Sequence, residues 1–376
     1  MEHYDILSLI TQDVDCQSIV NLITSNKKLY NINTIISLLK NNLYHRTGLL
    51  LKDSNLEDLI LLCLGIDKIK IYGFGDFLLF RAISGIIYQI NKDYQIKKID
   101  INDDIRHIEP GFAQILFLSK SGNVYYIAED DEITFRSVLN RERVEVAHQF
   151  KLIKGAEYIA GHDGILYFIK NGLLYDYEID YHDLRRTYKP KILSKINTFD
   201  KIFVDPEYDA TYLLDKKGDV YFMGEDGYDV WGFDGGIHIP IALNITNISD
   251  IALGREHGLM LTTTGEVFGF GSNKFGQLGL DEEIKSSDYR LLFKNIKAIA
   301  VEQLTSYFIT DEGDVYRCGY ITKDKFFYQP ILVEELHEIV QIAAAEIGTL
   351  CLDKYGDIFI VNGEEVKVLD VNVYEL

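Results

Sequence analysis

The 376-residue chain is short of several residue types, and each shortage excludes a class of protein. Its four cysteines include no C-x-x-C pair and do not form the pattern of a disulfide framework. No apolar run reaches the length of a membrane-spanning helix, and the first residues lack the basic and apolar parts of a signal peptide. We therefore expect a cytoplasmic protein with reduced cysteines, neither secreted nor inserted in a membrane.

Basic residues are also scarce. The sequence has 38 Lys and Arg against 58 Asp and Glu, which gives a formal net charge of −20. Such a surface repels phosphate and lacks the cations that release counterions from a duplex, so nucleic-acid binding is not expected. The charge favours a basic protein as partner.

Glycine, in contrast, recurs in one pattern. The sequence Gly-x-apolar-aromatic occurs seven times, with 37 to 50 residues between successive glycines. The seven glycines are Gly85, Gly122, Gly172, Gly218, Gly265, Gly313 and Gly356. Each follows an apolar run and a few polar residues, which is typical of a tight hairpin because glycine accepts a positive φ.

A further apolar segment precedes each hairpin, as in "SDIALGREHG" before Gly265. One unit is therefore strand, loop, strand, glycine turn, strand and a connection long enough for a fourth strand. A single small sheet cannot cover both of its faces, so neighbouring units must stack. Seven sheets arranged around an axis form an all-β, seven-bladed β-propeller, which is the fold that the sequence predicts.

The glycine-dense segment 261–281 allows a second interpretation, a phosphate-binding loop. However, "VFGFGSNKFGQLGLD" (267–281) aligns without gaps with "VYFMGEDGYDVWGFD" (220–234), and no helical pattern follows it. A repeated segment predicts an architectural role for these glycines.

Residues 251–280, "IALGREHGLMLTTTGEVFGFGSNKFGQLGL", resemble the repeat of the regulator-of-chromosome-condensation family. The resemblance extends in weaker form over about residues 66–360 and implies a seven-bladed propeller. Some members of that family accelerate nucleotide exchange on a Ran-like small GTPase. No segment of this chain matches that exchange machinery residue by residue.

Residues 1–64 lack the glycine turns and carry apolar residues at three- and four-residue steps, which predicts helices. The segments "DILSLI" and "VDCQSIVNLITSNKKLYNI" resemble an F-box, a helical module that binds a Skp-type adaptor. In that interpretation the partner-binding positions are Ile6, Leu7, Ile10, Ile19, Leu22, Leu29 and Tyr30. The same apolar faces also suit a helical cap on the propeller. The propeller itself is expected to occupy residues 65–376.

The sequence predicts no catalytic, metal-binding or cofactor-binding residues. The nine histidines are scattered, and His162 and His257 occupy equivalent repeat loops, where bracing of the loop is the favoured role. The only tryptophan, Trp231, is expected to pack within its blade, and Asp205, Glu207 and Asp209 are expected to form an exposed acidic tip.

The predicted function is a non-enzymatic interaction scaffold that recruits a basic target protein, with the F-box-like segment joining it to a ubiquitin ligase. Two alternatives stay open: a guanine-nucleotide exchange factor for a Ran-like GTPase, and a structural or accessory protein of a large DNA virus. The second alternative comes from a composition rich in Ile, Asn, Lys and Tyr, which is typical of AT-rich genomes.

Overall fold

The structure is a computed structural model that describes residues 68–369 with internal gaps. The gaps are residues 75–76, 83, 92, 102, 111–113, 129–144, 147, 150–152, 163–164, 179–188, 195–197, 206–209, 227–235, 282–284, 324 and 355. The predicted helical module at residues 1–64 lies outside the described part. No helix in the described part has the length and apolar character needed to cross a bilayer.

The described residues form 29 strands in seven sheets, which confirms the seven-bladed propeller. Blade 1 contains β1 (Lys70–Phe74), β2 (Phe77–Arg81), β3 (Ile87–Ile90) and β4 (Ile96–Asp100). Blade 2 contains β5 (Ile105–Pro110), β6 (Gln114–Ser119), β7 (Val124–Ala128) and β9 (His148–Gln149), while β8 (Glu145–Val146) adds to blade 1 parallel to β4. Blade 3 contains β10 (Tyr158–His162), β11 (Ile165–Lys170), β12 (Leu173–Glu178) and β13 (Lys191–Ile192).

The remaining four blades are regular four-stranded antiparallel sheets. Blade 4 contains β14 (Phe199–Val204), β15 (Thr211–Asp215), β16 (Val220–Gly224) and β17 (Ile237–Ala242). Blade 5 contains β18 (Ile248–Leu253), β19 (His257–Thr262), β20 (Val267–Ser272) and β21 (Lys285–Phe293). Blade 6 contains β22 (Ile296–Glu302), β23 (Thr305–Thr310), β24 (Val315–Thr322) and β25 (Lys325–Leu332), and blade 7 contains β26 (Ile339–Ala345), β27 (Gly348–Asp353), β28 (Ile358–Asn362) and β29 (Glu365–Val368).

The seven predicted glycines all lie between the second and third strands of a blade, and all have a positive φ. The angles are +88° at Gly85, +80° at Gly122, +71° at Gly172, +81° at Gly218, +81° at Gly265, +94° at Gly313 and +98° at Gly356. Residues with a side chain rarely adopt this conformation. The glycine pattern therefore marks the turn of every blade.

Five of these glycines also join their blade to the next. In five of the turns the glycine carbonyl accepts a hydrogen bond from a backbone N–H at the start of the following blade. These bonds run from Ala156 to Gly122 (3.2 Å), Phe199 to Gly172 (3.3 Å), Ile248 to Gly218 (3.0 Å), Ile296 to Gly265 (3.0 Å) and Ile339 to Gly313 (2.9 Å). A Cβ at Gly218 or Gly313 would collide with the backbone of the following blade. Glycine is needed here for close approach as well as for the turn.

An isoleucine occupies the middle of the inner strand of every blade and packs against the preceding blade. The seven residues are Ile71, Ile108, Ile159, Ile202, Ile251, Ile299 and Ile342. Ile108, for example, shares a core with Leu79 and Ile87 of blade 1. Burial of one such side chain stabilises the fold by about 1.5–3 kcal/mol, so seven small cores hold the ring together.

Blade 7 closes the ring against blade 1 without exchanging a strand among the described residues. Strand β1 contacts β26, and Ile71 and Phe80 share a core with Ala343 and Leu350. The side chain of Gln341 adds a hydrogen bond from its Nε2 to the carbonyl oxygen of Ile69 (2.9 Å). Closure therefore depends on side chains.

Candidate functional site: the central channel

Two sets of residues surround the axis of the propeller, one on each side of the seven isoleucines. The residue before each isoleucine belongs to a set that we name the polar tier, and the residue after it belongs to the inner tier. The polar tier is Lys70, His107, Tyr158, Lys201, Asp250, Ala298 and Gln341. The inner tier is Tyr72, Glu109, Ala160, Phe203, Ala252, Ala300 and Ala343.

The tiers border a cavity of about 320 Å³ on the axis. Three small side chains of the inner tier, Ala252, Ala300 and Ala343, leave the space open on one side. On the other side the cavity is lined by Tyr72, Glu109 and Phe203. The carboxylate of Glu109 thus faces a space bounded mainly by aliphatic and aromatic groups, with Asp250 and His107 also in the lining.

The two carboxylates of the channel come from blades that are not neighbours, yet they influence each other. Burial raises the pKa of Asp250, Lys201 and a backbone hydrogen bond lower it, and the charge of Glu109 raises it further. The Asp250 side chain is 45% exposed, because it borders the cavity. The lysine beside this pair is poorly placed to neutralise it. Lys201 Nζ lies 4.0 Å from Asp250 Oδ1 and donates instead to the carbonyl oxygen of Ser249 (2.7 Å).

Histidine and tyrosine side chains complete the polar surroundings of Glu109. His107 Nε2 lies 3.2 Å from Glu109 Oε2, but the angle does not suit a hydrogen bond, and this nitrogen is shielded from solvent. The ring of Tyr158 packs on the ring of His107, with centroids 4.6 Å apart. Burial raises the pKa of Tyr72 to about 12, while Arg81 lowers it and Glu109 raises it.

This arrangement suits a cationic side chain that enters the channel. Aliphatic walls accommodate the methylene stem of Lys or Arg, aromatic faces attract its charge, and a carboxylate accepts its N–H groups. The end of the channel nearer to Glu109 is the one at which the inner strands finish. Glu256 and Glu346 follow inner strands there, so the same face offers further carboxylates.

The glycine-dense segment 261–281 is not part of this site, and several of the backbone amides in its second half are already bonded within the fold. Asn273 is fully buried; its Oδ1 accepts the N–H of Leu278 (2.9 Å), and its Nδ2 donates to the carbonyl oxygen of Leu280 (2.9 Å). Gln277 Oε1 accepts the N–H of Phe275 (2.8 Å). The amides that a phosphate would need are thus used within the loop, in agreement with its predicted architectural role.

The structure confirms one of the predicted loop histidines and corrects one acidic residue. His257 is fully buried and bonded to Ser306 of the following blade, so its role is structural, as predicted, although it braces the junction between two blades and not its own loop. Asp205 is completely buried and not exposed, and its N–H donates to the carbonyl oxygen of Ala210 (2.8 Å).

Other predicted positions lie outside the described residues or side chains. They are Trp231, Glu207, Asp209, the side chain of His162 and the seven F-box-like positions Ile6, Leu7, Ile10, Ile19, Leu22, Leu29 and Tyr30. Sequence reasoning did not identify Glu109, Asp250 or Tyr72. The signal that marks them is their fixed offset from the repeated isoleucine.

Comparison with known proteins supports the repeat family at a coarse level. Residues 248–277 match the family described as Regulator of chromosome condensation (RCC1) repeat. The human protein "Probable E3 ubiquitin-protein ligase HERC4" is 32% identical over 143 residues, which cover 32% of this chain and 13% of HERC4. The human "RCC1-like G exchanging factor-like protein" is 35% identical over 83 residues, which cover 20% of this chain and 18% of that protein. The matched segments thus span less than a fifth of these relatives.

Solved structures share the fold at low sequence identity. Human WBSCR16 has a TM-score of 0.59 and 14% identity, and the match covers 73% of this chain and 84% of WBSCR16. Yeast RCC1 (Prp20), solved bound to Kap60, has a TM-score of 0.54 and 17% identity over 71% of this chain and 75% of Prp20. The chain therefore carries a repeat of the RCC1 type within a seven-bladed propeller.

Proposed function

We propose that the protein is a non-enzymatic scaffold that captures a basic segment of a partner protein in the central channel. The observation that carries the proposal is the cavity lined by Glu109, Tyr72 and Phe203. Within the described ranges, no Lys or Arg forms an ion pair with the carboxylate of Glu109. The net charge of −20 attracts basic partners at long range and supports the same assignment. The carboxylates around the nearer mouth would orient the segment before its side chain enters.

A role in ubiquitin transfer is the second part of the proposal. The relative HERC4 is named as a probable ubiquitin ligase, and only 13% of its length is matched here. We infer that this chain serves as a recruiting module, with its N-terminal residues joining it to a ligase through a Skp-type adaptor. Because those residues are not described, this part rests on sequence resemblance. Pull-down of a purified Skp-type adaptor by the full chain tests it, with a chain that lacks residues 1–64 as control.

Binding of synthetic peptides tests the role of the channel. A Lys- and Arg-rich peptide should bind the full chain, and its Glu-substituted counterpart should not. Glu109→Gln should weaken binding by about tenfold or more, since a hydrogen bond to a charged group contributes about 1.5–3 kcal/mol. Glu225→Gln, which changes a carboxylate that follows the third strand of blade 4, is the matched control and should bind like the parent chain. Equal affinity of the Glu109 variant and the parent would contradict the proposal.

Nucleotide exchange on a small GTPase is a second candidate function. It is supported by the 35% identity to the human RCC1-like G exchanging factor-like protein over 83 residues. Release of a fluorescent guanine nucleotide from a Ran-like GTPase, with and without the full chain, measures it. Faster release would favour this function over simple capture, and an unchanged rate would count against it.

A further inference from the structure

One face of the propeller carries charges of opposite sign on its two halves. Because neighbouring strands are antiparallel, the glycine turns and the starts of the inner strands lie at the same end of every blade. We name this end the glycine-turn face. It is the face opposite to the mouth at which Glu256 and Glu346 lie.

Blades 1 to 4 form the basic half of this face, which we name the basic arc. Among the residues that the structure describes there, cations outnumber carboxylates. These cations are Lys68, Lys70, Arg106, Lys120, Lys154, Lys170, Lys201, Lys216 and Lys217. The carboxylates in the same arc are Asp103, Asp104, Glu157, Asp200 and Asp219. Asp104 is already paired with Lys120 (2.7 Å), so exposed cations dominate the arc.

Blades 5 to 7 form the opposite half, which we name the acidic arc. Its carboxylates are Glu266, Asp311, Glu312, Asp314, Glu334, Glu335, Glu338 and Asp357. Three lysines lie among them: Lys294 pairs with Glu266 (2.8 Å), Lys354 pairs with Glu338 (2.6 Å), and Lys297 lies near Asp311. The acidic arc keeps an excess of negative charge after these pairs are made.

Several exposed charges of the two arcs form no ion pair among the described residues. Lys216 and Lys217 are exposed beside the turn glycine of blade 4, and Glu334 and Glu335 are exposed between blades 6 and 7. No ion pair involves any of these four side chains within the described ranges. They are therefore available to a partner without the loss of an existing contact.

A face with this distribution is complementary to itself. A two-fold axis that lies in the plane of the contact places the basic arc of one copy on the acidic arc of the other, and the reverse. We propose that two copies of this chain associate through their glycine-turn faces in this way. A free polyanion fits less well, because the acidic arc on the same face repels it, whereas a second copy places its basic arc there.

This dimer leaves the function proposed above intact. The mouth near Glu109 lies on the other face, so a basic segment still reaches the channel in each copy. Two channels would then face outward from one assembly, which strengthens binding to a partner with two basic segments. The dimer and the peptide-binding channel are nevertheless independent claims that different variants test.

Sedimentation of the full chain over a range of concentrations tests the association. We expect a reversible monomer–dimer equilibrium at low ionic strength that shifts to monomer as salt is raised, since salt screens exposed charges. Lys216→Glu with Lys217→Glu should weaken the dimer by about tenfold or more, and Glu334→Lys with Glu335→Lys should do the same. Lys274→Glu with Lys323→Glu is the matched control, because these exposed lysines lie in loops of the opposite face, and it should leave the dimer unchanged.

Mixing the two charge-reversed variants gives the decisive measurement. In a dimer of either variant alone, charges of like sign face each other. In the mixture, the reversed basic arc of one variant faces the reversed acidic arc of the other, so opposite charges meet again. Restored dimer in the mixture supports the proposal. A parent chain that sediments as a monomer at every concentration, a mixture that stays monomeric, or a monomeric one-to-one complex with polyglutamate would overturn it. Peptide binding at Glu109 is measured separately, so either proposal can fail alone.

Discussion

The junction between blades 5 and 6 and the junction between blades 6 and 7 use different residues at the same positions. In the first, His257 Nε2 bonds across the junction to Ser306 Oγ (2.8 Å). In the second, Thr349 Oγ1 donates across the junction to Glu302 Oε2 (2.9 Å). Ser306 and Thr349 are equivalent residues of their blades, so a hydroxyl meets a side chain of the preceding blade in both cases.

Which side chain bonds to the hydroxyl depends on how much space the preceding blade leaves beside it. Blade 5 has Gly254 where blade 6 has Glu302, and a Cβ at Gly254 would collide with Val301 and with the ring of His257. The imidazole fills this space. In blade 6 the smaller Thr305 stands at the histidine position, and the longer Glu302 reaches the hydroxyl instead. Two different pairs of residues thus make equivalent hydrogen bonds at the two junctions.

The contributions of the two junctions to stability change with pH in opposite directions. Burial lowers the pKa of His257 from 6.5 to about 3, so below pH 6.5 only the unfolded chain takes up this proton, and stability is lost as the pH falls from 6.5 towards 3. Burial raises the pKa of Glu302 from 4.5 to about 7, although hydrogen bonds from Thr349 and Tyr307 and the charge of Arg317 lower it and Glu346 raises it. The folded chain keeps this proton after the unfolded chain has lost it, so stability is lost as the pH rises from 4.5 to 7.

Gly254→Ala should produce the largest effect, because it adds the atom that the histidine junction excludes. The new methyl group must displace Val301, His257 or the carbonyl oxygen of Gln303. Overpacking of this kind lowers the free energy of unfolding by about 3 kcal/mol. Urea unfolding measures the change. Gly236→Ala is the control, because its new Cβ would meet only His238 at 3.6 Å, and equal loss in both variants would show that the space is not the cause.

Glu302→Gln should remove the response of the second junction to pH. The amide mimics the protonated carboxyl group, so the variant should match the parent near pH 4. Above pH 7 it should be more stable by about 2 kcal/mol, a value reduced from the full pKa shift because Glu302 is partly exposed. Urea unfolding at several pH values checks the difference. A variant that is less stable than the parent at pH 8 would contradict a raised pKa at this residue.

Removal of each hydroxyl should separate the two junctions further. Ser306 Oγ donates to the carbonyl oxygen of Gln277 (2.6 Å), so it accepts the Nε2 proton of His257. Ser306→Ala therefore leaves the buried Nε2 proton of His257 unsatisfied and the carbonyl oxygen of Gln277 with only the weak thiol donor of Cys318 (3.6 Å), and it should cost about 2 kcal/mol. Thr349→Val should cost about 1 kcal/mol at pH 8, because Glu302 keeps Tyr307 and partial access to water. Equal losses, measured by thermal unfolding, would show that burial does not distinguish the two bonds.

The smallest effect is expected at the residue before each inner strand. Asn295 (φ +61°) holds this place in blade 6, and Glu338 (φ +55°) holds it in blade 7. Asparagine tolerates a positive φ better than glutamate, but Glu338→Asn also removes the exposed ion pair with Lys354. We expect a net gain of about 0.5 kcal/mol in the free energy of unfolding. Asn295→Glu is the reciprocal variant and should lose stability.

The sequence predicted the features that arise from local conformation. Each turn glycine was found because a positive φ selects glycine within a short segment, and the structural role of His257 followed from its repeated loop. The contacts between distant segments were not predicted: the backbone hydrogen bonds that join turn glycines to the following blade, and the meeting of Glu109 with the alanines across the channel. These depend on how the blades are rotated about the axis, which no single repeat specifies. Strand β8, two residues that pair parallel with β4, has no local signal at all.

Each blade is built mainly from strands that are consecutive in the sequence. Leu369, the last described residue, packs on the same core as Ile69, which is close to the first described residue. The described residues thus begin and finish at one place on the ring. Linking the chain near Leu369 to the chain near Ile69, and opening the backbone at another connection between blades, should give a circularly permuted propeller with the same contacts between blades. The order in which blades are synthesised is then separate from the order in which they stand, and a whole blade becomes a unit that duplication can add or recombination can move.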